Sequence, residues 1–269
     1  MEPDPIPVLF VHGLWMHASS WRPWLDLFAD HGYVPIAPGW PGDGDTAEAT
    51  RNDPGRLDGV GIAELTRHYR TVAEALPTQP IVVGHSFGGL IAQKLLGEGV
   101  VRGAVAIAPV QFKGVLRLPP AQVRTVLPIL RRPGLRTRTW SHTADTYHAG
   151  FASAVTREES DALFEAHSIP GPARPLFQAA FANIVGGPTK IDTRSSRGPL
   201  LLVAGGADRM VPEPIVQSAY NIQRRNTGAT EYRVLPDRGH SLAADRGWRE
   251  VADLALDFLD RHDLGARQG

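Results

Sequence analysis

The chain has 269 residues, of which 42% are hydrophobic and 21% charged, so it carries enough apolar material for a buried core and is not a disordered or collagen-like chain. Lysine plus arginine number 28 and aspartate plus glutamate 28, so no overall basic field draws the protein to nucleic acid or an anionic membrane. Cysteine is absent, which excludes disulfides, thiolate metal sites and cysteine nucleophiles.

The first residues, Met1-Glu2-Pro3-Asp4-Pro5, are acidic and proline-rich where a secretory leader needs a basic start and a long apolar run, so a cytoplasmic protein is expected. No stretch reaches about 18 uninterrupted apolar residues, and no integral membrane segment is expected.

In chain order, strands are expected at Val8–Val11, Val34–Ala37, Ile81–Gly84, Ala104–Ala108, Leu200–Ala204 and Glu231–Leu235, each a short apolar or β-branched run. Between the first two, Trp21, Trp24, Leu25 and Phe28 recur at helical spacing, with Ser19 or Ser20 as N-cap, Pro23 in the first turn and Gly32 as the stop. Similar stripes run over Ile62–Leu76 and Trp248–Leu259. The alternation implies an α/β fold with a mostly parallel central sheet and helices on both faces. Two stretches break it. Gly39–Gly61, polar and rich in Gly, Asp and Pro, reads as a long loop in which Asp43, Asp45 and Asp53 are solvated turn residues. Val110–Gly198 holds helical fragments, many prolines and no strand, and is expected to be an inserted helical cap (110–198) on a core made of 1–109 and 199–269.

Gly84-His85-Ser86-Phe87-Gly88-Gly89 follows an apolar strand and opens a helical pattern. Small residues flanking a serine at that junction allow a turn too tight for a Cβ, and they project the hydroxyl at a helix N-terminus. The chain thereby resembles the α/β-hydrolase family, and the resemblance covers nearly all of it. Val8–Leu14 is similar to the family's first strand, an apolar run ending in His12-Gly13; Gly205-Gly206-Ala207-Asp208 is similar to its acid-bearing turn, and Pro236-Asp237-Arg238-Gly239-His240 to its histidine loop.

The resemblance implies Ser86 as nucleophile, His240 as base and Asp208 as the acid, with the backbone N–H groups of Leu14 and Phe87 as oxyanion donors. Serine is a poor nucleophile at neutral pH, so a histidine must take its proton and a carboxylate must hold the histidine's tautomer. Asp237, three residues before His240, competes for the acid's role, but so short a separation does not carry a carboxylate behind the imidazole. The resemblance gives neither His12 nor His85 a catalytic part, and His12 is expected to brace the adjacent loop. Trp15, Trp140 and Phe151 are candidate walls of the substrate pocket. His17, His31, His142, His148 and His167 show no ligand spacing with carboxylates, so no metal is expected; no Gly-rich dinucleotide or phosphate motif is present, so no cofactor is expected either.

These residues point to a serine hydrolase acting on a small-molecule ester, lactone or thioester through an acyl-serine. An acyltransferase, a perhydrolase, or an elimination or cyclisation enzyme could use the same triad, and a non-catalytic binding protein could keep the fold. The basic run Arg124, Arg131, Arg132, Arg136 and Arg138 reads as a solvated amphipathic face, or as attraction for an anionic substrate, carrier protein or lipid surface. Oligomeric state leaves no mark on the sequence.

Overall fold

A computed structural model describes residues 6–185 and 187–266. Among these residues, eight strands and eleven α-helices follow one another as β1 (Pro7–Val11), α1 (Arg22–Asp30), β2 (Val34–Ile36), α2 (Ala47–Asn52), α3 (Ile62–Glu74), β3 (Ile81–His85), α4 (Phe87–Gly97) and β4 (Gly103–Ile107). After these come α5 (Pro120–Leu130), β5 (Thr139–Trp140), α6 (Ala144–Gly150), α7 (Arg157–His167), β6 (Gly171–Pro172), α8 (Arg174–Ala180) and α9 (Ala182–Val185). The chain closes with β7 (Leu200–Gly205), α10 (Glu213–Gln223), β8 (Thr230–Leu235) and α11 (Trp248–Arg261).

Six strands form one sheet in the order β2-β1-β3-β4-β7-β8, and every pairing is parallel. Side chains alternate across it. Leu9, Val11, Val82, Ala104, Ala106 and Leu202 join the core shared with α3, α4 and α10. Val8, Phe10, Ile81, Val83, Val105 and Val203 join the one shared with α1 and α11. Because both faces are covered, β1, β3, β4 and β7 are buried along their whole length, which is why they read as unbroken apolar runs in the sequence.

The first helix departs from expectation at its start. Neither Ser19 nor Ser20 caps it; residues 18–21 form a 3₁₀ turn in which the His17 side chain accepts from Ser19 N, and α1 begins at Arg22 with no side-chain cap. Trp21, Trp24 and Phe28 are buried as their spacing predicts, and Gly32 takes a φ of +82° just past the end.

Both stretches that break the alternation hold more structure than their composition suggests. The 39–61 segment carries α2, capped by Thr46, and a 3₁₀ turn at Pro54–Leu57. Segment 110–198 contains α5 to α9 together with the short antiparallel pair β5/β6, where no strand was expected. Long-range polar contacts tie the two together: Arg51 donates to the carbonyls of Glu165 and Ser168, Thr139 N donates to Asp58 Oδ1 at 2.8 Å, and Arg174 donates to the Gly59 carbonyl at 2.7 Å. No helix among the described residues is long and apolar enough to cross a membrane.

Candidate active site

Ser86 sits at the junction of β3 and α4 with φ +56° and ψ −117°, a conformation that side-chain-bearing residues rarely adopt. Close packing holds it there. A Cβ on Gly88 would lie 2.0 Å from the Val11 carbonyl oxygen, and one on Gly13 would lie 2.8 Å from Ser86 Cβ, so β1 and its following loop can approach the turn only because those positions lack side chains. Ser86 N donates to the Ile107 carbonyl at 2.9 Å, and the Ser86 carbonyl accepts from Leu90 N and Val110 N at 3.2 Å each, anchoring the turn to β4 and α4.

Asp208 lies just past β7, and its side chain is fully buried. Oδ1 accepts from the backbone of Met210 and Val211 at 2.7 and 2.8 Å. Oδ2 faces His240 Nδ1 at 2.7 Å, so Nδ1 carries the proton that is donated. Nε2 is then the bare nitrogen, and it accepts from Ser86 Oγ at 2.9 Å. Three residues from the ends of three strands thus form one unbroken hydrogen-bonded chain. Asp237 is exposed and makes no part of it. Leu14 and Phe87 flank Ser86, and among the described residues neither backbone N–H donates to another protein group.

Above Ser86 and His240 lies a cavity of about 230 Å³ whose lining includes Leu14, Trp15 and Phe87 from the core, Val126 and Leu127 from α5, and Leu176 from α8. Trp15 lies at the wall of this cavity. Trp140 and Phe151 do not line this cavity. Trp140 accepts the Trp15 indole N–H on its carbonyl oxygen at 3.1 Å and faces a neighbouring cavity on the far side of α5. Phe151 is buried behind the triad, its ring edge-on to His240 with centroids 5.0 Å apart.

The model of the alpha/beta hydrolase family matches residues 8–254, nearly the whole chain. The chain belongs to the alpha/beta hydrolase family. A curated relative, the non-heme chloroperoxidase CPO-A1 of Kitasatospora aureofaciens, is 28% identical over 95% of this chain and 92% of its own. Among solved structures, a pyrethroid hydrolase from Sphingobium faniae JZ-2 is similar with TM-score 0.62 and 19% identity, covering 96% of this chain and 98% of the other. A monoacylglycerol lipase from Paleococcus ferrophilus gives TM-score 0.65 and 19% identity over 95% and 94%.

Around the triad, this alpha/beta hydrolase uses groups that sequence reasoning passed over. His85 donates from Nε2 to the His240 carbonyl at 2.8 Å, and burial holds its pKa well below the usual histidine value, so it is a neutral brace for the His240 loop. Asp245 accepts from Ser241 Oγ at 2.8 Å and pairs with Arg238, closing that loop from its other side. Its position, five residues after His240, was a usable local signal; the contact of His85 was not, because it joins residues 155 apart in sequence.

Asp43 also needs correcting. Rather than a solvated turn residue, its side chain is only 2% exposed, lies 3.1 Å from His12 Nε2 and accepts from Trp40 N at 2.8 Å. Asp45 and Asp53 are exposed. The five arginines of the basic run are exposed, and Arg138 pairs with Asp58 at 3.0 Å.

Proposed function

We propose that this alpha/beta hydrolase cleaves a small or medium carboxylic ester, lactone or thioester through an acyl-serine intermediate. The observation that carries this reading is the continuous chain from Ser86 Oγ through His240 to Asp208, with spacings of 2.9 and 2.7 Å, opening on an apolar cavity. Ser86 Oγ attacks the acyl carbon while His240 Nε2 takes its proton; Asp208, its other oxygen held by two backbone N–H groups, stabilises the imidazolium. The N–H groups of Leu14 and Phe87 receive the developing oxyanion. His240 then returns the proton to the leaving alcohol or thiol, and water, activated by the same imidazole, releases the acid. Segment 110–198 acts as the cap, supplying the pocket's α5 and α8 walls.

A second reading differs only in the final acceptor. The similarity to a non-heme chloroperoxidase favours attack on the acyl-serine by hydrogen peroxide, which yields a peroxy acid in place of the acid. One experiment tests the shared core of both: intact-mass measurement after a fluorophosphonate probe, on wild type and Ser86→Ala. The expected result is one phosphonyl adduct on wild type and none on the variant. A folded wild type that takes no label overturns the reading. An ester panel run with and without peroxide then separates the two acceptors.

A further inference from the structure

The cavity at Ser86 is hydrocarbon-lined except for one buried polar pair whose function the triad does not explain. Gln111 follows β4, and Gln122 lies in the first turn of α5; both reach the cavity and are 8% and 5% exposed. Gln122 Nε2 donates to Gln111 Oε1 at 2.9 Å. That bond leaves Gln122 Oε1 buried without a partner, and it does not use the Nε2 hydrogens of Gln111. A buried amide oxygen with nothing to accept is costly, and folded proteins retain few of them. The other polar groups of the lining are committed. Ser86 and His240 bond to one another, and the Trp15 indole N–H is taken by the Trp140 carbonyl.

Two amides joined by one hydrogen bond at the wall of an apolar pocket keep a free acceptor and a free donor, a combination complementary to a hydroxyl, which gives one hydrogen and receives another. Resting on the hydrolase reading above, we propose that the Gln111–Gln122 pair recognises a hydroxyl group on the otherwise hydrocarbon substrate chain that fills this cavity. The hydroxyl donates to Gln122 Oε1 and accepts from Gln111 Nε2, making the preferred substrates hydroxylated esters or thioesters. A site built to bond a hydroxyl discriminates against the chain that lacks it far more strongly than an apolar wall discriminates by one methylene, because the unliganded amide stays unsatisfied.

The test walks a hydroxyl carbon by carbon along two series of chromogenic esters, one varied in the acyl chain and one in the alcohol, and compares kcat/KM with that of the unsubstituted parent. In wild type, one position in one series is expected to exceed its parent by about 10- to 100-fold. Gln122→Leu and Gln111→Leu are expected to bring that ratio to within roughly 2-fold of unity. If the pair only positions α5, the variants lower parent and hydroxylated esters alike and the ratio persists, which overturns the proposal. So does a wild type that favours the parent at every position, a result that needs no variant to fold. Gln122→Met serves in place of a Gln122→Leu that does not fold. Fluorophosphonate labelling of wild type separates the failures: labelled enzyme without hydroxyl preference overturns this inference alone, and enzyme that neither labels nor turns over any ester overturns the hydrolase reading with it.

Discussion

The chemical end of the cavity is built from the carboxyl ends of β1, β3, β7 and β8, whereas its opposite wall comes from α5 and α8 of the 110–198 segment. The strands β1, β3 and β7 of the first part are buried along their whole length, and each triad residue sits within a few positions of a strand end, with Ser86 and Asp208 held there by backbone hydrogen bonds and the His240 carbonyl by the His85 side chain. The second part is held to the 39–61 segment through side chains such as Arg51 and Asp58 and contributes the pocket's shape and its polar pair. On the proposed function, reaction type resides in the sheet and substrate fit in the insertion. Changes in the two regions should separate along that line.

The sharpest break is at the acid. Asp208→Asn leaves the geometry but offers His240 an amide in place of a carboxylate, and is expected to lower kcat by about 10⁴-fold. Asp237→Asn, exposed and outside the chain of hydrogen bonds, should stay within about 2-fold of wild type. Steady-state kinetics on both variants checks this, and the reverse pattern would place the acid at Asp237. On the insertion side, Leu127→Trp fills much of the cavity of about 230 Å³. Its expected effect is a roughly 10- to 100-fold loss of kcat/KM on long-chain esters, with acetyl esters and fluorophosphonate labelling retained. Loss of labelling as well would mean that the two regions are not separable.

Smaller effects concern stability. Asp43→Ala leaves His12 and Trp40 N without their carboxylate and should cost about 1–3 kcal/mol, read as a fall in Tm of roughly 2–4 °C per kcal/mol. An unchanged melt would mean that Asp43 behaves as a solvated turn residue. The smallest is a pH effect. Burial lowers the pKa of His142 from 6.5 to about 3, so between these values the unfolded chain binds a proton that the folded chain does not. Stability then rises with pH across that window and is lost as pH falls below 6.5. Urea unfolding at pH 6.5 and 5.5 should show wild type losing about 1 kcal/mol more over that unit than His142→Gln. Equal losses would mean that His142 protonates in the folded protein as readily as in the unfolded one.

Legibility in the sequence follows the same division. All six strands of the main sheet were readable to within a residue or two: burial on both faces turns β1, β3, β4 and β7 into apolar runs, and the partly exposed edge strands β2 and β8 still read as short runs rich in β-branched residues bounded by turn residues. The turn at Ser86 and the loops of Asp208 and His240 were readable because each is a local pattern attached to such a strand. What escaped are contacts between residues far apart in the chain: Asp43 with His12, His85 with the carbonyl of His240, Arg51 with the end of α7. The aromatic residues of the insertion gave a composition without an address. Trp15 reached the cavity, while Trp140 turned to a neighbouring one and Phe151 went behind the triad, since helical spacing tells which face is apolar and not what it will meet.

The backbone of Ser86 bears on how the protein could change over time. At φ +56° a residue with a side chain carries strain of order 1–3 kcal/mol, and the neighbours without side chains that permit the turn do not relieve it. A glycine there would be more comfortable, so selection for heat tolerance alone pulls toward removing the hydroxyl that the turn exists to present. A lineage that keeps the reaction must find its extra stability elsewhere, and the exposed, proline-rich surface of 110–198 is the part of the molecule with room to supply it.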